Sequence, residues 1–287
     1  MQPGTGVAFS SRAAAMNFSR KQKLSLLVWG GGVALACFLL MQSVMTLRLH
    51  SQLLPLSPAG LDSLIAVTLP GTMSDTLLRY SAFSIHFNSE HHIANCAFYQ
   101  LTRGHLNGSY GRPDDFAADA AVPGCALLED YAGSGYDRGH LVPAADVQWS
   151  AQALRESFLL TNVCAQTKKL NGGGWAKLEE KVREWVARDS ALVIFTGPAG
   201  NAVVETIGTS RVAVPRRFYK IIVAPCVRPV RAVAFIYPNG PSGKSLRDYC
   251  VTVDSVESAT GIDFFSRMPQ PWQRRIESRI NLDAWLN

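Results

Sequence analysis

Asp137, Arg138 and His140 stand within four positions of one another, with Gly139 between the last two. A guanidinium presents several donors to an anion such as phosphate. An imidazole titrates near neutrality and can take a proton from water. A second set follows in residues 157–182, where Asn162, Gln166, Asn171 and Glu179 are interleaved with Lys168 and Lys169. Hydrolysis of a phosphodiester needs a base for the attacking water and positive charge for the phosphoryl oxygens. An arginine or a hard divalent cation supplies that charge. Mg²⁺ takes oxygen ligands and keeps several waters, so one amide or carboxylate can hold it. His140, Arg138 and Asn171 offer one group for each need.

These side chains must be positioned by regular elements. Residues 172–190 are expected to be a helix. Trp175, Leu178, Val182, Trp185 and Val186 recur at helical spacing and form one apolar face. Asn171 precedes this helix and Glu179 lies about two turns along it, so both can look toward its start. The glycines at 172–174 allow a sharp approach to the helix. Asp137–His140 is expected at a bend or strand end, with Gly139 as its hinge. Strands are expected at 80–88, 96–102, 191–198, 218–225 and 231–238, with a turn at 91–95 and a closing helix at 271–286. Hairpin-like strand pairs mixed with helices indicate an α+β fold.

The chain has 287 residues, 47% hydrophobic, enough for a packed core. Its formal charge of +6 suits a polyanionic partner or an anionic membrane without requiring either. Six scattered cysteines include no closely spaced pair, which argues against a disulfide framework and a structural zinc site. Residues 24–47 carry no charge and are long enough to span a bilayer. Arg20, Lys21 and Lys23 precede them, and no acidic residue occurs before Asp62. The expected organisation is a basic segment at 1–23, a transmembrane anchor at 24–47, a connector at 48–75 and a catalytic domain at 76–287. A mitochondrial presequence ahead of an inner-membrane anchor fits this N-terminus, with an intermembrane-space domain. So does a bacterial inner-membrane anchor with its domain in the periplasm; the acid-free start favours the mitochondrion.

Residues 240–245 invite a phosphate-loop reading, but the glycines are too closely spaced, and a turn is expected. The basic runs 215–220 and 273–279 read equally as phosphate contacts or solvated faces.

The segment YDRGHLVPAAD (136–146) and the segment LLTNVCAQTKKLNGGGWAKLEE (159–180) resemble the DNA/RNA non-specific endonucleases. These are ββα-metal (His-Me finger) nucleases with the DRGH motif, endonuclease G-like. Weaker likeness at FSIHFN, CAFYQLT, VPRRFYKIIV and DFFSRMP extends the match over about residues 80–285. The resemblance implies a ββα-metal core within a mixed, largely antiparallel sheet flanked by helices. It implies His140 as general base, Asn171 as the sole direct protein ligand of Mg²⁺ (with Mn²⁺ able to substitute), and Glu179 holding metal-bound water. Arg138 would bind the scissile phosphate, with Lys168 and Lys169 as further substrate contacts. Asp137 would orient the loop, and Asn162 and Gln166 would order the site. The expected activity is cleavage of DNA and RNA to 5′-phosphate and 3′-hydroxyl ends, and relatives imply a homodimer. Cys164 and Ala165 depart from the family's small residue and proline, and Cys96 from its tryptophan; these bear on packing. The alternative is a catalytically degenerate nucleic-acid-binding module of the same fold. A zinc metallohydrolase or phosphatase finds no supporting motif.

Overall fold

The computed structural model describes residues 58–113, 115–200, 205–280 and 282–286. The expected basic segment and membrane anchor, residues 1–47, lie outside them. Among the described residues, no helix is long and apolar enough to cross a membrane. The expected connector is structured from residue 58 onward. It forms helix α1 (Pro58–Leu64) and a short strand, Val67–Thr68, paired antiparallel with Asp263–Phe264. The folded body therefore begins before residue 76, because a strand far along the chain supplies that segment's backbone partners.

Strands β1 (Thr76–Arg79), β2 (Phe83–Asn88) and β3 (Ile93–Thr102) form a meander. The β2–β3 turn is Ser89–His92, and Ile93, Ala94 and Asn95 already belong to β3. A separate antiparallel pair follows, β4 (Asp137–His140) and β5 (Val163–Gln166). Between them lies helix α2 (Ala151–Ser157). Helix α3 (Ala176–Asp189) comes next, then β6 (Ala191–Pro198), β7 (Arg217–Ala224), β8 (Arg231–Pro238) and β9 (Cys250–Val251). The main sheet has seven strands in the order β9-β8-β7-β6-β3-β2-β1, all antiparallel.

Central strands β6 and β7 are buried almost end to end rather than alternately, because both faces of the sheet are covered. Leu192, Ile194, Ile222, Val233 and Phe235 share one core with Trp175, Leu178, Val182, Trp185 and Val186. That apolar face of α3 is the one expected from its spacing. Phe195, which alternates with Ile194, instead meets Phe264 and Phe265 at 5.5 Å between ring centroids. Helices α4 (Val253–Thr260) and α5 (Gln270–Glu277) pack on β8. The expected closing helix is two pieces, α5 and Asp283–Leu286. Cys96, Cys125, Cys164, Cys226 and Cys250 are free thiols.

Asp137–His140 is a strand, not a bend. Its register pairs Asp137 with Gln166 and His140 with Val163. Strand alternation sends Arg138 and His140 to one face and Gly139 to the other. Gly139 is thus not a hinge: a Cβ there would overlap the side chain of Gln166, which is fully buried. Gly139→Ala is expected to cost about 1–3 kcal/mol through overpacking. Thermal unfolding should show this as a Tm lower by about 2–12 °C. Gly111→Ala, where a Cβ meets open space, is the control. Equal melting of the two variants would refute the close-contact account.

Candidate active site

Two elements converge on the site. One is β4, held against β5. The other is a π-helical turn, Leu170–Trp175, that feeds α3. Gly173 interrupts that turn at φ −115° and ψ −113°. Gly174 donates its N–H to Ser242 Oγ at 2.9 Å, and a Cβ on it would strike Ser242. The 240–245 segment is irregular backbone, and it buttresses the glycine run. Asn239 accepts from Thr167 N at 2.8 Å and donates to Ala165 O and Pro215 O at 2.9 and 2.8 Å. That one amide ties the end of β5 to the start of β7.

Asn171 then faces β4. Its Nδ2 donates to Asp137 Oδ2 at 3.0 Å. With the nitrogen committed, Oδ1 remains as the acceptor of the amide. Asn162 is fully buried; its Oδ1 accepts from Val142 N, and its Nδ2 donates to Val142 O and Ser157 O. It pins the residues after His140 to the end of α2. Gln166 is also fully buried, but its amide has no hydrogen-bond partner among the described residues. Its observed role is to pack under Gly139. Lys168 and Lys169 are exposed and lie outside the wall of the central cavity.

That cavity, of about 250 Å³, brings together Arg138, His140, Asn171 and Glu179, with Arg112 and Arg183 in the same wall. Arg112 and Arg138 also line an adjoining cleft with Phe116, Tyr136 and Asp137. The two guanidiniums thus border both spaces. Arg138 lies over the Phe116 ring at 4.4 Å and Arg112 over Phe158 at 5.3 Å. Stacking positions Arg138 without a carboxylate: it makes no ion pair among the described residues. Its charge stays available to an anion.

His140 is wedged between the same two rings, at 5.1 Å from Phe116 and 4.9 Å from Phe158. Its Nε2 is buried without a hydrogen-bond partner among the described residues. Burial, reinforced by Arg112 and Arg138, drives its pKa down to about 3. The imidazole is therefore neutral near pH 7, with an unprotonated nitrogen able to accept a proton.

Glu179, on the first turn of α3, is 16% exposed. Its Oε1 lies 3.7 Å from Nζ of Lys220, which is 1% exposed. The ammonium also sits 4.7 Å over Trp175 and has no hydrogen-bond partner among the described residues. Burial pushes the Glu179 carboxyl up to about 7, against the pull of Lys220. Burial lowers Lys220, against the pull of Glu179 and Asp146. Behind this pair, Arg183 Nη1 meets Asp146 Oδ1 at 3.1 Å, and Tyr99 donates its hydroxyl to Asp146 Oδ2 at 2.7 Å.

Arg112, Arg183, Lys220 and Asp146 were not singled out from sequence. Arg183 had a legible signal, four residues after Glu179 on one helix face. Lys220 is a lone charge inside an apolar strand, itself a sign of a buried partner. Arg112 lies in an irregular segment with no periodicity to read.

The model of the DNA/RNA non-specific endonuclease family matches residues 62–270. A nuclease of Nostoc sp. (strain PCC 7120 / SAG 25.82 / UTEX 2576) is 33% identical over 223 residues, covering 73% of this chain and 80% of that protein. The mitochondrial nuclease 1 of Schizosaccharomyces pombe is 33% identical over 235 residues, covering 74% of this chain and 72% of the relative. Among solved structures, the crystal structure of the EndoG/EndoGI complex superposes with a TM-score of 0.65 at 26% identity. That alignment covers 68% of this chain and 88% of the other. By fold, by the match over most of its length and by these relatives, this chain belongs to the DNA/RNA non-specific endonuclease family.

Proposed function

We propose that the chain is a sugar-non-specific endonuclease that hydrolyses phosphodiester bonds of DNA and RNA, with His140 as general base and one Mg²⁺. The observation that carries this reading is the cavity that unites a neutral imidazole, a carboxylate-free guanidinium and two hard oxygen donors. His140 takes a proton from the attacking water, which bonds to phosphorus as the bond to the 3′ oxygen breaks, and a second water gives that oxygen its proton. The products carry 5′-phosphate and 3′-hydroxyl ends. Arg138 holds the non-bridging oxygens and opposes the charge that develops on them. The phosphate in turn offsets the arginine charges that depress the imidazole, which makes His140 a better base once substrate is bound. Phosphate contacts carry no sequence information, in keeping with low base preference.

The donor set fits a hard cation. Asn171 keeps Oδ1 free by giving its nitrogen to Asp137, and Glu179 adds a carboxylate to the same cavity. Asn171 is the proposed direct ligand, and Glu179 orders the water around it. Mg²⁺, or Mn²⁺ in its place, would supply positive charge at the phosphoryl and leaving oxygens. Asp137 acts by orienting Asn171, and Asn162 by fixing the segment after His140. Lys168 and Lys169, exposed outside the cavity wall, would contact the substrate beyond the scissile phosphate. Residues 24–47 anchor the chain in a membrane in this reading. The mitochondrial name of the Schizosaccharomyces pombe relative and the acid-free N-terminus support a mitochondrial over a bacterial location.

Incubating the protein with plasmid DNA and with single-stranded RNA tests the activity. Mg²⁺-dependent cutting of both is expected, abolished by EDTA and reduced ~100-fold or more by His140→Ala. Equal cutting by the variant would remove His140 as base. Binding without cutting by the unaltered protein would favour the degenerate binding module.

The depressed imidazole also predicts the pH dependence of stability. The unfolded chain binds the proton that folded His140 refuses, so the His140 contribution is present above about pH 6.5 and declines as pH falls toward about 3. Between pH 7 and 5 the protein should lose about 2 kcal/mol more than His140→Gln. Parallel urea-unfolding midpoints for the two proteins over that interval would disprove it.

A further inference from the structure

Away from the active site, helices α4 and α5 bring three carboxylates together. Asp254 and Glu257 stand three positions apart on α4 and so share a face. Glu277 is the last residue of α5. One oxygen from each lies within 4.8 Å of the other two. None of the three forms an ion pair with a basic side chain among the described residues.

Glu277 decides the reading. It is only 8% exposed, and its Oε1 is buried with no hydrogen-bond partner. It also ends a helix, where the backbone carbonyls already concentrate negative charge. Glu257 Oε1 accepts from Phe264 N at 2.8 Å, which fixes that carboxylate beside the others. Burial pushes Glu277 up to about 8 and Glu257 up to about 7, with neighbouring acids, Asp263 among them, adding to both. Buried, unpartnered carboxylates are unfavourable unless a proton or a cation neutralises them. The oxygen spacing suits a cation bound 2.3–2.6 Å from each ligand, about the range for calcium, with water completing the shell.

We propose that Asp254, Glu257 and Glu277 form a binding site for a hard divalent cation that pins α5 to α4. The family match ends at residue 270, before Glu277. Asp254 and Glu257 lie within the match; none of the three lines the active-site cavity, so the site is independent of the catalytic reading. Its function is structural: a cation that binds only the folded state stabilises it by mass action.

The test is thermal unfolding of the full-length protein carrying Asn171→Ala, which removes the proposed catalytic cation. It is run in EDTA, in millimolar Ca²⁺ and in millimolar Mg²⁺. A Tm raised by about 4 °C or more in either cation is expected. Adding Glu277→Gln should abolish that shift while leaving the melting in EDTA no lower. If Glu277→Gln fails to fold, Asp254→Asn decides. That residue is exposed, and its change should weaken Ca²⁺ affinity about tenfold or more by calorimetric titration. A Tm unmoved by both cations, a shift that survives Glu277→Gln, or an affinity unchanged by Asp254→Asn would overturn the proposal.

Discussion

One hydrogen bond of 3.0 Å, from Asn171 Nδ2 to Asp137 Oδ2, joins the two halves of the site. Asp137 opens the strand that carries Arg138 and His140. Asn171 stands in the turn that launches the helix carrying Glu179 and Arg183. The bond fixes their separation and also settles which atom of the Asn171 amide is left to accept. Much of the surrounding structure serves this junction. The pairing of β4 with β5 sets the strand, the glycine run bends the chain into α3, and Asn239 and Ser242 brace the approach.

The electrostatics follow from burial. Phe116 and Phe158 flank His140, whose Nε2 is buried, and support the guanidiniums beside it, so the imidazole stays neutral among cations. On the far side, Lys220 answers Glu179 from within the central sheet, and Asp146 answers Arg183. Charges so deep are costly unless paired. Their arrangement ties the sheet, the helix and the cavity together, so a change in any one reaches the others.

Reading the sequence located α3 well, because five apolar side chains at helical spacing must bury one face. It placed the main strands within a few residues, since their β-branched and aromatic runs fit a covered sheet. It read Asp137–His140 as a bend or strand end hinged at Gly139, and the bend and hinge were the error. A strand of four residues is set by its partner, Val163–Gln166, and no local pattern announces that pairing. It also placed the start of the folded body too late, because Val67–Thr68 finds its partner at Asp263–Phe264.

By itself, the sequence determined the residue types available for chemistry, the apolar face of α3 and the two motifs that mark the family. These are local properties, fixed by composition and spacing. Only the tertiary structure decided that Arg112 and Arg183 share the cavity, that Lys220 lies under Glu179, and that Gly139 is required by Gln166 and not by flexibility. Those relations join positions far apart along the chain. They arise because a close-packed interior leaves each side chain one set of neighbours, which spacing along the chain does not encode.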